Sequence, residues 1–192
     1  MSIEQIIISS SYIGIFLLLI LNGIFGFPSS QIIYIIAGWF AYSEDMNLLL
    51  IVLLGGIGHA IGNAILYEIS RKKGLNYILK FKLIPKSEIC KVNAVMQKKG
   101  YWFLFFGKFV NPIKIILPIP CGISKMNRFI FNSINVITTI LWAIIFVSIG
   151  YIFGKSWDFA YYYGVIMIIL SFSIMFIFYR YMNSQEILKL VK

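Results

Sequence analysis

GKFVNPIKIILPIPCG, residues Gly107–Gly122, decides how this chain reads. It is strongly apolar, yet Pro112, Pro118 and Pro120 interrupt it, and each proline removes a backbone donor and breaks a helix. Broken backbone at membrane depth persists only where it is buried in protein or lines a polar cavity. The wider stretch Tyr101–Gly122 is therefore predicted to be a re-entrant hairpin. Two lysines, Lys108 and Lys114, lie inside it.

Outward from this hairpin, four apolar runs reach the ~20 residues that a spanning helix needs. They are Ile6–Phe27, Leu48–Ile69, Phe129–Phe153 and Ala160–Tyr179. Pro28–Tyr42 is apolar but short and opens on proline, and it reads as a first re-entrant hairpin. The composition agrees, with 60% hydrophobic and 12% charged residues, about half the roughly 25% charge of soluble domains. Mean hydropathy is +0.87. The expected fold is an all-α integral membrane protein, with four transmembrane helices and two re-entrant hairpins in one polytopic domain over residues 1–192.

The net charge of +10 is not placed for nucleic acid. Nine of the basic residues fall between Arg71 and Lys99, as a cytoplasmic segment obeying the positive-inside bias would carry them. With 71–99 inside, the N-terminus, Arg180, Lys189 and Lys192 also fall on the cytoplasmic side. Met1–Gln5 has no basic residue, so no cleavable signal peptide is expected. The two hairpins then enter from opposite faces. They also match each other: Pro28 precedes Gly38 by ten residues, and Pro112 precedes Gly122 by ten. This is the layout of an inverted repeat, whose broken helices carry the substrate site in many transporters.

Charges inside a membrane region are expensive and usually functional. Lys108 and Lys114, six residues apart across an Asn-Pro break, suit a phosphate head group held by two point charges. The plainer alternative is that both snorkel to the head groups and anchor the hairpin. In Leu48–Ile69, Gly55, Gly58 and Gly62 make a small-residue face for another helix. His59, Asn63 and Tyr67 share a helical face; His59 is the candidate proton site, or else a neutral, satisfied core histidine. Glu68 and Arg71 read as an interfacial pair, and Trp39, Tyr42, Trp142 and Tyr161–Tyr163 as interface anchors. Cys90 and Cys121 show no disulfide pattern. No metal cluster, phosphate loop or catalytic triad is visible, so no cofactor, metal or soluble-type enzyme activity is expected.

Taken together, GKFVNPIKIILPIPCGISKM, FNSINVITTILWAIIFVSIGYIFG, GNAILYEISRKKG and PSSQIIYIIAG resemble the DedA family of bacterial membrane proteins, relatives of the eukaryotic VTT-domain lipid scramblases. The likeness covers roughly Gly26 to Gly154. It rests on Lys108, Phe109, Lys114, Pro118, Gly122, Met126, Asn135, Trp142, Gly150, Tyr151 and Gly154, with Tyr67, Arg71, Pro28 and Gly38. The resemblance implies movement of a lipid carrier such as undecaprenyl phosphate, or of phospholipids, in a bacterial inner membrane. It implies a substrate-binding set of Lys108, Lys114, Gln31, Asn63, Asn111 and Arg71, with Pro28, Gly38, Pro112, Pro118 and Gly122 shaping the hairpins. Partners would be phosphate-bearing and bilayer lipids and no nucleic acid, with a homodimer open. The family's usual acids fall here on Gln31 and Asn63, and its usual arginines on Lys108 and Lys114. An amide does not titrate, so proton coupling through those two positions is not expected. Two other classes stay open: a membrane-organising protein that transports nothing, and a transporter of a small soluble ion.

Overall fold

The computed structural model describes residues 3–43, 46–79, 86–110 and 113–155, with Ser173, Phe176 and Arg180 beyond them. These residues build eight helices: α1 (Ile3–Phe25), α2 (Ser30–Ser43), α3 (Leu48–Leu79), α4 (Lys86–Lys99), α5 (Tyr101–Gly107), α6 (Ile113–Ile116), α7 (Pro118–Ile123) and α8 (Arg128–Lys155). Both α3 and α8 are long and apolar enough to cross a membrane. The expected span Ala160–Tyr179 lies outside the described residues, apart from Ser173 and Phe176.

The helices are patterned for lipid on one face. Ile13, Leu17, Leu21 and Phe25 of α1 are exposed at four-residue spacing, as are Leu49, Leu53, Ile57, Ile61 and Ile65 of α3, and Ile137, Leu141 and Ile145 of α8. Residues four apart share a helix face, so each set is a continuous aliphatic stripe. In water such stripes would be apolar patches of a size that soluble monomers rarely expose. The buried face of α3 carries instead Gly55, His59, Asn63, Tyr67 and Ser70. Small and polar groups inside with aliphatics outside is the arrangement a bilayer favours.

The chain divides into two compact units, Met1–Asn63 with Val136–Val165, and Ala64–Asn135 with Ile166–Lys192. In the first unit, α1 ends at Gly26, whose φ of 76° an L side chain rarely adopts. The Gly26 N–H donates to the Asn22 carbonyl at 2.7 Å, and the Asn22 side-chain amide donates to the Pro28 carbonyl. This turn-back precedes α2. The hairpin expected within Pro28–Tyr42 is thus corrected in place: from Ser30 the chain is one unbroken helix of 14 residues, because no proline or glycine turn falls inside it. At about 1.5 Å per residue α2 is roughly 21 Å long, short of the ~30 Å bilayer core. A Cβ on Gly38 would strike the carbonyl of Val147, and one on Gly150 the carbonyl of Ile35, so α2 and α8 meet backbone to backbone. Gly62 likewise lies against the Ile20 carbonyl of α1.

The second unit holds the broken stretch. The chain turns after α5 through N–H bonds of Phe109 to the Phe106 carbonyl (3.0 Å) and Val110 to the Gly107 carbonyl (3.2 Å). Beyond the break, α6 and α7 follow one another almost without interruption, because Leu117 N–H reaches the Ile113 carbonyl (2.9 Å) and Cys121 N–H the Leu117 carbonyl (3.3 Å) on either side of Pro118. The Tyr101–Gly122 stretch is therefore interrupted between α5 and α6, while Pro118 and Pro120, expected to break it, are carried within α7.

The basic segment 71–99 is more than a charged connection. Its second part is α4, whose Ile89, Val92, Val95 and Met96 recur at helical spacing and are buried in a core with Leu104, Leu117, Ile119, Cys121 and Phe131. The lysines hid this amphipathic stripe from a reading by charge.

Candidate functional site

The basic pair is built into the second unit. Lys108 occupies the turn after α5, and Lys114 lies in α6, its N–H donating to the Val110 carbonyl at 3.0 Å across the break. Only 5% of Lys108 and 6% of Lys114 is exposed. A snorkelling anchor keeps its ammonium at the surface, whereas both of these side chains are enclosed by protein. The Lys108 ammonium donates to Asn135 Oδ1 of α8 at 2.8 Å and lies 5.9 Å from the centre of the Phe131 ring. The unit thus encloses two like charges, and the partners it shows for Lys108 are neutral.

A second constellation supports this centre. At the end of α7, Met126 N–H donates to the Cys121 carbonyl (3.1 Å) and Lys125 N–H to the Gly122 carbonyl (2.9 Å). This double bond pattern closes a helix with a left-handed residue, here Lys125 at φ 52°. The turn aims the Met126 carbonyl at α3, where it accepts from the Tyr67 hydroxyl (2.5 Å) and from Arg71 Nη1 (2.7 Å). Arg71 Nη1 also donates to the Tyr67 oxygen at 2.8 Å. The Tyr67 ring stacks on Phe131, with centroids 4.2 Å apart and planes at 12°. Gly122 makes room for this, since a Cβ there would strike the Tyr67 carbonyl.

Several expectations change. Glu68 does not pair with Arg71; it accepts from Arg128 Nε at 2.7 Å and Nη2 at 3.1 Å. Helical spacing made Arg71 look available, but the Met126 carbonyl takes it instead. Trp142 is no interface anchor: it is buried, with 9% exposed, and leans on Phe146 with centroids 4.7 Å apart. Trp39 and Tyr42 are exposed as expected, while Tyr161–Tyr163 lie outside the described residues, as do Asn111 and Pro112. Cys90 and Cys121 are free thiols, and Cys121 Sγ sits 3.3 Å from Met96 Sδ.

The other expected residues belong to the first unit. His59 and Asn63 are buried on α3, with the His59 ring 6.4 Å from that of Tyr34. Gln31 Oε1 accepts from the Ser29 hydroxyl at 2.5 Å. Among the described residues no three His, Cys, Asp or Glu side chains gather as a metal site would need. Asn135 and Phe131 are the residues whose part in the centre was not foreseen. Asn135 carried a signal all the same, as an amide within an apolar span, where polar side chains tend to face the protein interior.

Lipid-facing stripes, a proline-broken apolar segment and enclosed lysines define a helical membrane protein with a buried cationic centre. Residues 13–152 match the VTT domain, most of the chain, and the protein belongs to that family, the DedA family. Among its relatives are two membrane proteins of Bacillus subtilis (strain 168). YkoX is 31% identical, covering 78% of this chain and 67% of its own, and YbfM is 30% identical, covering 79% and 96%. Undecaprenyl phosphate transporter A of Staphylococcus aureus (strain NCTC 8325 / PS 47) is 24% identical, covering 97% and 98%. No solved structure matches the chain.

Proposed function

We propose that this protein is a transporter, not an enzyme, and moves a phosphate-bearing lipid, polyprenyl phosphate or a phospholipid, between the leaflets of a bacterial inner membrane. The observation that carries this reading is the burial of Lys108 and Lys114 together in one unit, with an amide and a ring around Lys108. Enclosing ammonium groups is costly unless an anion compensates them. Phosphate oxygens suit them, and a head group drawn into broken helices leaves its acyl or prenyl tail in lipid. The name of the S. aureus relative points the same way. In this reading the chain spans four times and carries two re-entrant segments, with both termini in the cytoplasm. Arg71 and Asn111 take part in binding the head group, and Gln31 and Asn63 serve the same transport step as uncharged polar groups.

The test is a leaflet assay of labelled polyprenyl phosphate and labelled phospholipid in proteoliposomes containing this protein alone. Protein-dependent translocation of one of them is expected. Lys114→Ala should abolish it in correctly inserted protein, and Lys114→Arg should preserve it. Translocation by Lys114→Ala at the wild-type rate would return both lysines to an anchoring role.

A further inference from the structure

Asn135 is the residue that decides what Lys108 can do. Its side-chain oxygen accepts from the Lys108 ammonium at 2.8 Å, and both residues are buried. Phe131 lies one turn earlier on the same face of α8 and presents its ring to that ammonium at 5.9 Å. The ring is held in turn by the stacked Tyr67. Neither group that α8 offers carries a charge. Glu68 of this unit is taken by Arg128 at the exposed start of α8.

We infer that Asn135 is a positioning and specificity-determining residue: it orients Lys108 through a neutral acceptor, so that the lysine's positive charge is not cancelled before an anion arrives. The inference rests on the phosphate reading above. An ammonium has three donors, and the Asn135 oxygen engages one of them while fixing the direction of the rest. A carboxylate at the same place would hold the lysine at least as well. It would also neutralise it, because opposite charges in contact inside a low-dielectric interior interact strongly. An arriving phosphate would then have to displace that carboxylate and would meet its repulsion. Asn135 separates two properties that a carboxylate would merge, the placing of the charge and its cancellation.

A purely structural role, in which Asn135 only pins the break after α5 to α8, makes the opposite forecast. Asn135→Asp keeps the acceptor oxygen and nearly the same shape, so a pin would survive or tighten. The experiment is calorimetric titration of the full chain in nanodiscs with a short-chain polyprenyl monophosphate, and separately with inorganic phosphate. Thermal midpoints are recorded for every variant. Wild type should bind the lipid phosphate, and Asn135→Asp should bind at least about tenfold more weakly, the loss of one charge-assisted contact, with its thermal midpoint unchanged or raised. Equal affinity of wild type and Asn135→Asp would overturn the inference and leave the transport reading standing. Wild-type binding of inorganic phosphate alone, lost in Asn135→Asp, would uphold the inference and refute the lipid reading. Binding of neither probe by wild type would overturn both. Should Asn135→Asp not fold, Asn135→Ser and Asn135→Ala are compared at equal thermal midpoints. The serine, which retains a neutral oxygen, should bind the lipid phosphate more tightly, and equal affinities would overturn the inference.

Discussion

Tyr67 and Phe131 lie face to face, 4.2 Å between ring centres and 12° from parallel, and so tie the C-terminal half of α3 to the start of α8. The pair has a polar lock at one end and a charge at the other. The Tyr67 hydroxyl meets the Met126 carbonyl and Arg71, while Phe131 faces the Lys108 ammonium.

Tyr67→Phe should therefore cost about 1–2 kcal/mol of stability, the usual range for removing a buried hydrogen-bonding group. The stack itself survives that change. Tyr67→Leu should cost more, since aromatic pairs contribute roughly 0.5–1.5 kcal/mol beyond their area. Thermal unfolding in detergent measures both, and a Tyr67→Phe midpoint equal to wild type would show that the lock contributes nothing.

Gly38 and Gly122, each ten residues after a proline, play matching parts in their own units. One lies against the Val147 carbonyl of α8 and the other against the Tyr67 carbonyl of α3. Gly38→Ala and Gly122→Ala should each destabilise by about 1–3 kcal/mol, because backbone cannot yield to the added methyl without shifting a helix. Gly14 meets nothing within 4 Å, so Gly14→Ala should stabilise α1 by up to about 1 kcal/mol. The three variants compared by thermal midpoint test the pattern together.

Lys125 closes α7 in a left-handed conformation at φ 52°, a region costing an L residue roughly 1–2 kcal/mol. Lys125→Gly should raise stability by about 0.5–1 kcal/mol, less than the full strain because glycine also loosens the unfolded chain. A fall in the midpoint would mean that the lysine side chain contributes more than its backbone costs.

Energy coupling is where this chain departs from the pattern it resembles. With amides at Gln31 and Asn63, transport should proceed as passive facilitation, at initial rates that depend little on an imposed pH gradient. His59→Gln should be near-silent, as for a neutral histidine in an apolar interior. If His59 binds the transported proton instead, wild type will follow the gradient and His59→Gln will not. Strong gradient dependence that persists in His59→Gln would exclude both versions and direct attention to other carboxylates.

Much of the architecture was legible because membrane sequences carry a strong one-dimensional signal. Aliphatic length marks a span, and a proline-rich apolar stretch marks an interruption, although at Pro118 the helix runs on almost unbroken. The lysine pair was legible for the same reason, since a charge within an apolar run has few explanations. Local cues failed where a choice of partner was involved. Glu68 had Arg71 three residues away and took Arg128, sixty residues on. Trp142 had the composition of an anchor and turned inward.

By itself, then, the sequence determined that the chain is a helical membrane protein with a proline-rich interrupted segment that holds two lysines. Those properties depend on composition, periodicity and backbone chemistry, which are local. The tertiary structure decided that α4 is a core helix beneath its lysines, that the turn before α2 lies at Gly26–Ser29, and that Asn135 holds Lys108. Each of these depends on which distant side chain fills a given space or accepts a given hydrogen bond. Such pairings are settled only when helices far apart in sequence are brought together.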